Sequence, residues 1–204
     1  MLPATIPLFP LPNVVLFPNV FLPLHIFEPR YRAMVADALD GDRLIGMVLL
    51  RPGYEDDYEG RPPVFDIGCA GVITHHERLP DGCFNIVLQG TERFRIEDED
   101  HSRPYRIGHV ERLAESMDPH PVEVQSVRQR LESLVTVLVE KNRGELSIPS
   151  SMTDLDVIHA LAQYLDLAPL EKQALLEMDS LVSRASALAD LLEMNAMGKV
   201  GSRQ

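Results

Sequence analysis

Tryptophan is absent from this chain of 204 residues, cysteine occurs twice and lysine three times. With only Cys69 and Cys83, a disulfide framework is excluded as the source of stability, and a reducing compartment is the natural reading. With only three lysines, Lys141, Lys172 and Lys199, most of the 19 basic residues are arginine, and they stand against 31 acidic residues for a net charge of -12, with acids in excess in both halves. No basic arm exists to hold a polyanion. Long apolar runs are missing too: prolines interrupt each one, and the N-terminus has no basic region before an apolar stretch. Neither export nor a membrane is therefore expected, and the cytoplasm is. What is present is 45% hydrophobic residues, enough to bury a core in one domain or two small ones.

Up to about residue 115 the pattern is short β-type segments broken by Pro and Gly: Val14 to Phe17, Phe21 to His25, Leu44 to Leu50, Phe65 to Thr74, Cys83 to Gln89, Thr91 to Glu97 and Tyr105 to Leu113. Many short strands with one helix predict a closed or partly closed barrel. The helix comes early, with Glu28 before Pro29, then Tyr31, Met34, Val35, Ala38 and Leu39 at helical spacing, and Gly41 as the stop. Beyond residue 117 the period changes to about 3.6. Four apolar stripes follow, around Leu131, Ile158, Leu175 and Leu188, and stripes this regular bury against one another as a small bundle. Thr153 with Asp156 resembles a capping box. The expected organisation is residues 1–116 as barrel and 117–204 as bundle, coupled through the first bundle helix. Segment 51–63 is polar, acidic and rich in turn formers, a loop long enough to be mobile or functional.

Groups able to do chemistry are few. Cys69, His75, His76 and Cys83 are the nearest approach to a metal set. A hairpin turning at Leu79-Pro80-Asp81-Gly82 would place Arg78 opposite Cys83, His76 opposite Asn85, His75 opposite Ile86 and Cys69 opposite Glu92. That separates the two sulfurs by about 30 Å at 3.3 Å per residue, too far for one zinc. No Gly-x-Ser-x-Gly elbow and no phosphate-cradling Gly-x-x-x-x-Gly-Lys-Ser/Thr loop occurs. The acidic runs Glu97 to Asp100 and Glu55 to Asp57 are read as solvated, with weak divalent-ion binding as the sharper alternative. His25 is read as a core or edge histidine, and Glu28, Arg30 and Arg32 as capping and ion-pairing groups at a helix start. No metal, cofactor or catalytic set is expected.

Ile6-Pro7-Leu8-Phe9-Pro10-Leu11-Pro12, Val14 to Pro18 and Leu22 to Arg32 together resemble the opening of the Lon N-terminal domain, the substrate-handling module of an ATP-dependent protease. Leu44 to Val48, Asp66-Ile67-Gly68-Cys69-Ala70-Gly71-Val72-Ile73, Pro80-Asp81-Gly82, Leu88-Gln89-Gly90, Arg93-Phe94-Arg95-Ile96, Pro104-Tyr105, Lys172 to Glu177 and Arg184 are similar to later signatures of that family in the same order. The resemblance implies an α+β fold: a six-stranded PUA-like pseudobarrel with one early helix, then a four-helix bundle. It also implies recognition of unfolded or tagged chains, on a sequence too short to carry the ATPase and protease. The expected contact surface is a groove near Phe27, Glu28, Arg30 and Tyr31, flanked by the 51–63 loop with Tyr54 and Tyr58. Aromatic and Arg anchors are the residue types that carry binding energy in such grooves. The expected partner is an unfolded polypeptide or a dedicated protein. The alternative is RNA, which PUA-like barrels often bind, with Arg93, Arg95, Arg103 and Arg106 as its cluster; the acidic balance argues against nucleic acid.

Overall fold

Pro7 and Pro10 stand inside the first strand, β1 (Thr5–Leu11), which sequence reasoning passed over. The computed structural model describes residues 2–55, 60–115, 121–141 and 152–201. In it β1 lies parallel to β3 (Leu44–Leu49) and antiparallel to β6 (Arg106–Leu113). The Val110 N–H donates to the Ala4 carbonyl and the Leu50 N–H to the Leu11 carbonyl, so even-numbered residues of β1 turn their backbone groups toward β6 and odd-numbered ones toward β3. Pairing with β3 begins at Leu8, and pairing with β6 ends there. Each proline thus lacks its N–H on the side where no strand lies opposite, which is how two prolines fit within a central strand.

The remaining strands are β2 (Phe21–Ile26), β4 (Ile67–Arg78) and β5 (Phe84–Asp100). Strand order is β2-β5-β4-β3-β1-β6, and β6 returns to pair with β5. β5 holds β2 along Phe84 to Gln89 and β6 along Arg93 to Asp100. The break expected at Gly90 does not occur. Its missing side chain instead makes room for a crossing segment: a Cβ there would lie 2.1 Å from the Phe17 carbonyl oxygen.

That segment corrects the strand expected at Val14 to Phe17. It has no ladder partner, yet Val15, Leu16, Phe17 and Val20 are buried. Asn19, at φ 62°, donates its N–H to the Gly90 carbonyl of β5, and the Gly90 N–H donates to the Val20 carbonyl, while the Phe17 N–H donates to Gln163 Oε1 at 3.1 Å. Its backbone is satisfied by helices on one side and the sheet on the other, so it is a layer between them.

The early helix forms as expected, as α1 (Pro29–Asp40), burying Tyr31, Met34, Val35 and Ala38. Glu28 stands at the N-cap but makes no side-chain cap; its carboxylate pairs with Arg30. Gly41 ends the helix at φ -116°, and the left-handed residue that turns the chain is Arg43, at φ 58°. The second half supplies α2 (Pro121–Lys141), α3 (Asp154–Tyr164), α4 (Pro169–Glu177) and α5 (Leu181–Gly201), completing an α+β fold with six strands and five helices among the described residues. Thr153 caps α3 through Asp156 N–H, and the Asp156 carboxylate accepts from Thr153 and from Asn19.

The sheet separates two apolar clusters, as alternation along a strand requires. Ile6, Leu8, Val48, Ala70 and Phe94 form the smaller one. Gly46 and Gly68 make room for the Phe94 ring there, since a Cβ at either would come within 2.8 Å of its Cζ. The larger cluster joins Phe9, Met47, Cys69 and Leu88 to Phe17, to α1 and to the helices of the second half.

At the centre of that junction, Arg93 of β5 is 2% exposed and Arg184 of α5 is 0% exposed. Arg93 donates to the Leu176 and Met178 carbonyls at 2.9 and 2.8 Å, and Arg184 to those of Leu175 and Met178 at 2.9 and 2.7 Å. Both guanidiniums therefore cap the C-terminal end of α4, where the helix dipole is negative. Glu115 accepts from each, at 3.0 Å from Arg93 Nε and in a short contact with Arg184 Nη1. His159 Nδ1 faces the Pro18 carbonyl at 3.0 Å, which can only accept, and Nε2 faces Arg184 Nη1 at 2.6 Å, which can only donate. Those partners fix a neutral imidazole protonated at Nδ1. Burial, then the Arg184 charge, hold its pKa at about 4. Among the described residues, the hydrogen bonds joining the halves come from α3, α4, α5 and the short links beside them, rather than from α2.

Two outcomes follow from this junction. Glu115→Gln leaves two buried guanidiniums without their shared carboxylate and is expected to destabilise the protein by about 3 kcal/mol in urea unfolding. As pH falls, an unfolded His159 takes up its proton near 6.5 and the folded one only near 4. Stability is therefore full above the first value and declines between the two, by about 3 kcal/mol at about 1.4 kcal/mol per pH unit. Melting curves of the His159→Gln protein should lose this part of the acid dependence.

Candidate functional site

Arg30 leaves the first turn of α1 between two partners: its guanidinium sits 3.0 Å from Glu28 Oε2 and 4.7 Å from the centre of the Tyr31 ring. Tyr31 is 4% exposed, its ring centroid 4.5 Å from that of Phe9. Both residues line a cleft of about 220 Å³. Its other walls come from the end of the 51–63 loop, with Arg61 and Pro62, and from the approach to β6, with Pro104, Tyr105 and Arg106. The base of that loop is closed by the Leu50 and Val64 bridge, by the Arg51 N–H to the Pro63 carbonyl, and by Arg51 Nε to the Val64 carbonyl at 2.7 Å.

Arg106 is 8% exposed, a depth unusual for a guanidinium. Nη2 donates to the Pro62 carbonyl at 2.8 Å, and Nε lies 3.2 Å from Glu99 Oε2. Desolvation lowers its pKa, and the neighbouring charges of Arg61 and Arg30 push the same way. Arg61 reaches the same Glu99 oxygen only at 4.0 Å and the Arg103 carbonyl at 3.4 Å. Tyr105 donates to Asp37 Oδ2 at 2.6 Å, and burial with that bond pushes its pKa up to about 12. It remains a phenol that anchors the cleft wall to α1.

The expected contact residues thus divide. Arg30 and Tyr31 come together in the cleft, and Glu28 holds Arg30 in place. Phe27 is 62% exposed and stacks on His25 instead. Tyr54 packs half-buried against the Phe94 cluster. Tyr58 lies outside the described residues, as do Asp56 and Asp57. Sequence reasoning placed the 51–63 loop beside the candidate site without singling out Arg61 and Pro62, and it missed Pro104 and Tyr105 as walls, although Pro104-Tyr105 was visible as a motif. Of the acidic run, Glu97 and Asp98 are exposed as expected, but Glu99 turns toward Arg106.

The arginine cluster considered for RNA makes no basic face. Arg93 and Arg106 are buried, while Arg95 and Arg103 lie 3.9 and 3.3 Å from Glu111 and Asp37. His25 is an edge histidine, its Nδ1 2.8 Å from Asn85 Oδ1 across the strand pair. Arg32 lies against Gly82 in the β4–β5 turn.

That hairpin is one residue out of the expected register at its end: Arg78 pairs with Phe84, His76 with Ile86 and His75 with Val87. The reason is the larger turn, in which the Leu79 N–H donates to the Cys83 carbonyl and Gly82 takes φ 83°. An unpaired residue in β4, Thr74, and one in β5, Thr91, then offset each other, so the same one-residue shift leaves Cys69 opposite Arg93. Cys69 is buried, its thiol pushed far up by desolvation, while His75 and His76 are exposed. Among the described residues no group of three His, Cys, Asp or Glu side chains is placed to hold a metal ion, and no helix is long and apolar enough to cross a membrane.

A second concave surface lies between α4 and α5, an apolar groove of about 440 Å³ lined by Leu170, Ala174, Met178, Leu191 and Met194. Leu170 is 50% and Met194 68% exposed there. Methionines suit surfaces that accept varied apolar partners.

Residues 5–194 match the family model described as the ATP-dependent protease La (LON) substrate-binding domain. The Lon protease of Cytophaga hutchinsonii is 28% identical over 200 residues, covering 94% of this chain and 24% of that protein. The Lon protease of Parabacteroides distasonis is 31% identical over 201 residues, 92% and 24% of the two chains. The chain therefore spans about a quarter of the length of these relatives. Among solved structures, a Lon N-terminal domain protein from Xanthomonas campestris has a TM-score of 0.59 at 24% identity, covering 90% of this chain and 96% of that one. The N-terminal domain of a Mycobacterium avium complex Lon protease has a TM-score of 0.64 at 18% identity, covering 93% and 98%. At these identities the two structures speak for the fold.

The cysteines give a direct check on the β4–β5 geometry. A thiol reagent at pH 9 is expected to modify Cys83 in the folded protein, slowed because burial and Asp81 raise its pKa, and to reach Cys69 only in denaturant. Mass spectrometry of the labelled peptides reads both.

Proposed function

Because the chain belongs to the family of the ATP-dependent protease La (LON) substrate-binding domain, we propose that it is a non-enzymatic recognition module that holds polypeptide, either an unfolded client or a dedicated protein partner. The match across residues 5–194 carries this reading. Its surface chemistry supports it: an apolar groove with exposed Leu170 and Met194, and exposed Phe21, Phe27 and Tyr164 around strand β2. Apolar and aromatic side chains on rigid elements are what an unfolded chain offers to and accepts from a partner. The closed strand pairing is consistent with a PUA-like pseudobarrel over residues 1–116, and α2 to α5 with a four-helix bundle over residues 117–204.

A non-enzymatic role agrees with the condition of the reactive groups. The Cys69 thiol is enclosed, and His159 has both ring nitrogens engaged by Pro18 and Arg184. The module needs no cofactor for this work and acts in the cytoplasm. Fluorescence anisotropy with a permanently unfolded polypeptide and a structured RNA, each at low and physiological salt, tests the reading. Saturable polypeptide binding that survives salt, with no RNA signal, is expected. Salt-sensitive RNA binding without polypeptide binding overturns it.

A further inference from the structure

We propose that the cleft between the start of α1 and the start of β6 is a carboxylate site that receives the C-terminal end of an extended polypeptide. The inference rests on the polypeptide-recognition reading and names the group that one part of the surface takes. Arg30, Arg61 and Arg106 all line the cleft. Arg61 and Arg106 share a single carboxylate, Glu99, at 4.0 and 3.2 Å; among the described residues each keeps a buried Nη1 without a hydrogen-bond acceptor, and the Glu99 Oε2 between them is itself buried without a well-formed hydrogen bond. Buried guanidinium N–H groups are ordinarily satisfied, and one Glu99 oxygen cannot serve the Nη1 groups of two arginines, so the cluster is short of acceptors. Burial strips water from Arg106, and the positive charges of Arg61 and of Arg30, the latter paired with Glu28, act on it against the single opposing charge of Glu99. An oxyanion there would relieve both the repulsion and the missing bonds. This occurs on a protein whose net charge is -12, so the attraction is local to the cleft.

The walls say what bears the charge. Tyr31, Tyr105, Pro10 and Pro62 give flat apolar surfaces beside the guanidiniums. At about 220 Å³ the cleft is smaller than the pockets of about 300–1,000 Å³ that hold whole small ligands. It suits the last residue of a chain, with an apolar side chain on the tyrosine and proline walls and its carboxylate on the arginine forks. Arg matches carboxylate geometry with paired N–H groups.

The test uses the full chain and an N-terminally fluorescein-labelled apolar hexapeptide, made once with a free C-terminal carboxylate and once as the amide. Anisotropy is expected to show the acid binding about tenfold more tightly, consistent with a charge-assisted pair. Arg61→Gln, a loop residue whose loss leaves the Arg106 contacts in place, should reduce that preference to about threefold or less. Inorganic phosphate should displace the acid peptide only at concentrations far above the peptide's own. Equal affinity of acid and amide, no binding of either, a preference unchanged in Arg61→Gln, or displacement by phosphate at matching concentration each overturns the inference. If acid and amide bind alike while the unfolded polypeptide still binds, the carboxylate site fails and the recognition module stands.

Discussion

Two arginines enclosed in the protein interior hold the halves of this chain together. Arg93 comes from the sheet and Arg184 from the last helix, and both point at the carbonyl end of α4 with Glu115 between them. A buried guanidinium is tolerated only if its N–H groups are occupied and its charge is matched. Here the arginines come from β5 and α5 and the matching groups from the stretch after β6, from α3 and from the end of α4, so none of these elements can move without exposing an unsatisfied charge. The position of the helices on the sheet follows from that requirement.

The segment between β1 and β2 shows how the requirement reaches outward. His159 completes the arginine network with one ring nitrogen and holds the Pro18 carbonyl with the other. Gln163, one turn further along α3, takes the Phe17 N–H. On the opposite side Gly90 leaves space for the Phe17 carbonyl, and the Phe17 side chain is fully buried. A stretch with no secondary structure is thereby held in place, because Phe17, Pro18, Asn19 and Val20 each turn a backbone group to a partner.

Away from this rigid centre the surface offers two kinds of recognition chemistry on separate elements. The α4–α5 groove is apolar and open, while the cleft at α1 is small, aromatic and rich in arginine. In the proposed recognition role, their separation would let a bound chain be held by its apolar side chains and oriented by a charged group without the two demands competing in one pocket. Rigid support for both comes from elements whose ends are already tied, α4 by the arginines and the 51–63 loop by Arg51 and Arg106.

The sequence by itself determined the class of elements and their order: period two before residue 115, period 3.6 after it, the early helix from Pro29, and the ordered motifs of the family. These are local, set by side-chain alternation and by the fixed φ of proline, and so they are legible in a string of residues. Arg30 and Tyr31 were legible as a pair for the same reason, being neighbours in one helical turn, and both line the cleft at α1. Only the tertiary structure decided that Pro7 and Pro10 belong to a strand, that Val14 to Phe17 do not, and that Arg106 joins Arg61 in a cleft rather than Arg93 in a basic face. Whether a proline can sit in a strand depends on which side its partners lie, and whether an arginine meets solvent or another arginine depends on pairings dozens of residues apart. Those choices are made by the need to satisfy buried donors and charges, which is a property of the assembled fold and of no segment alone.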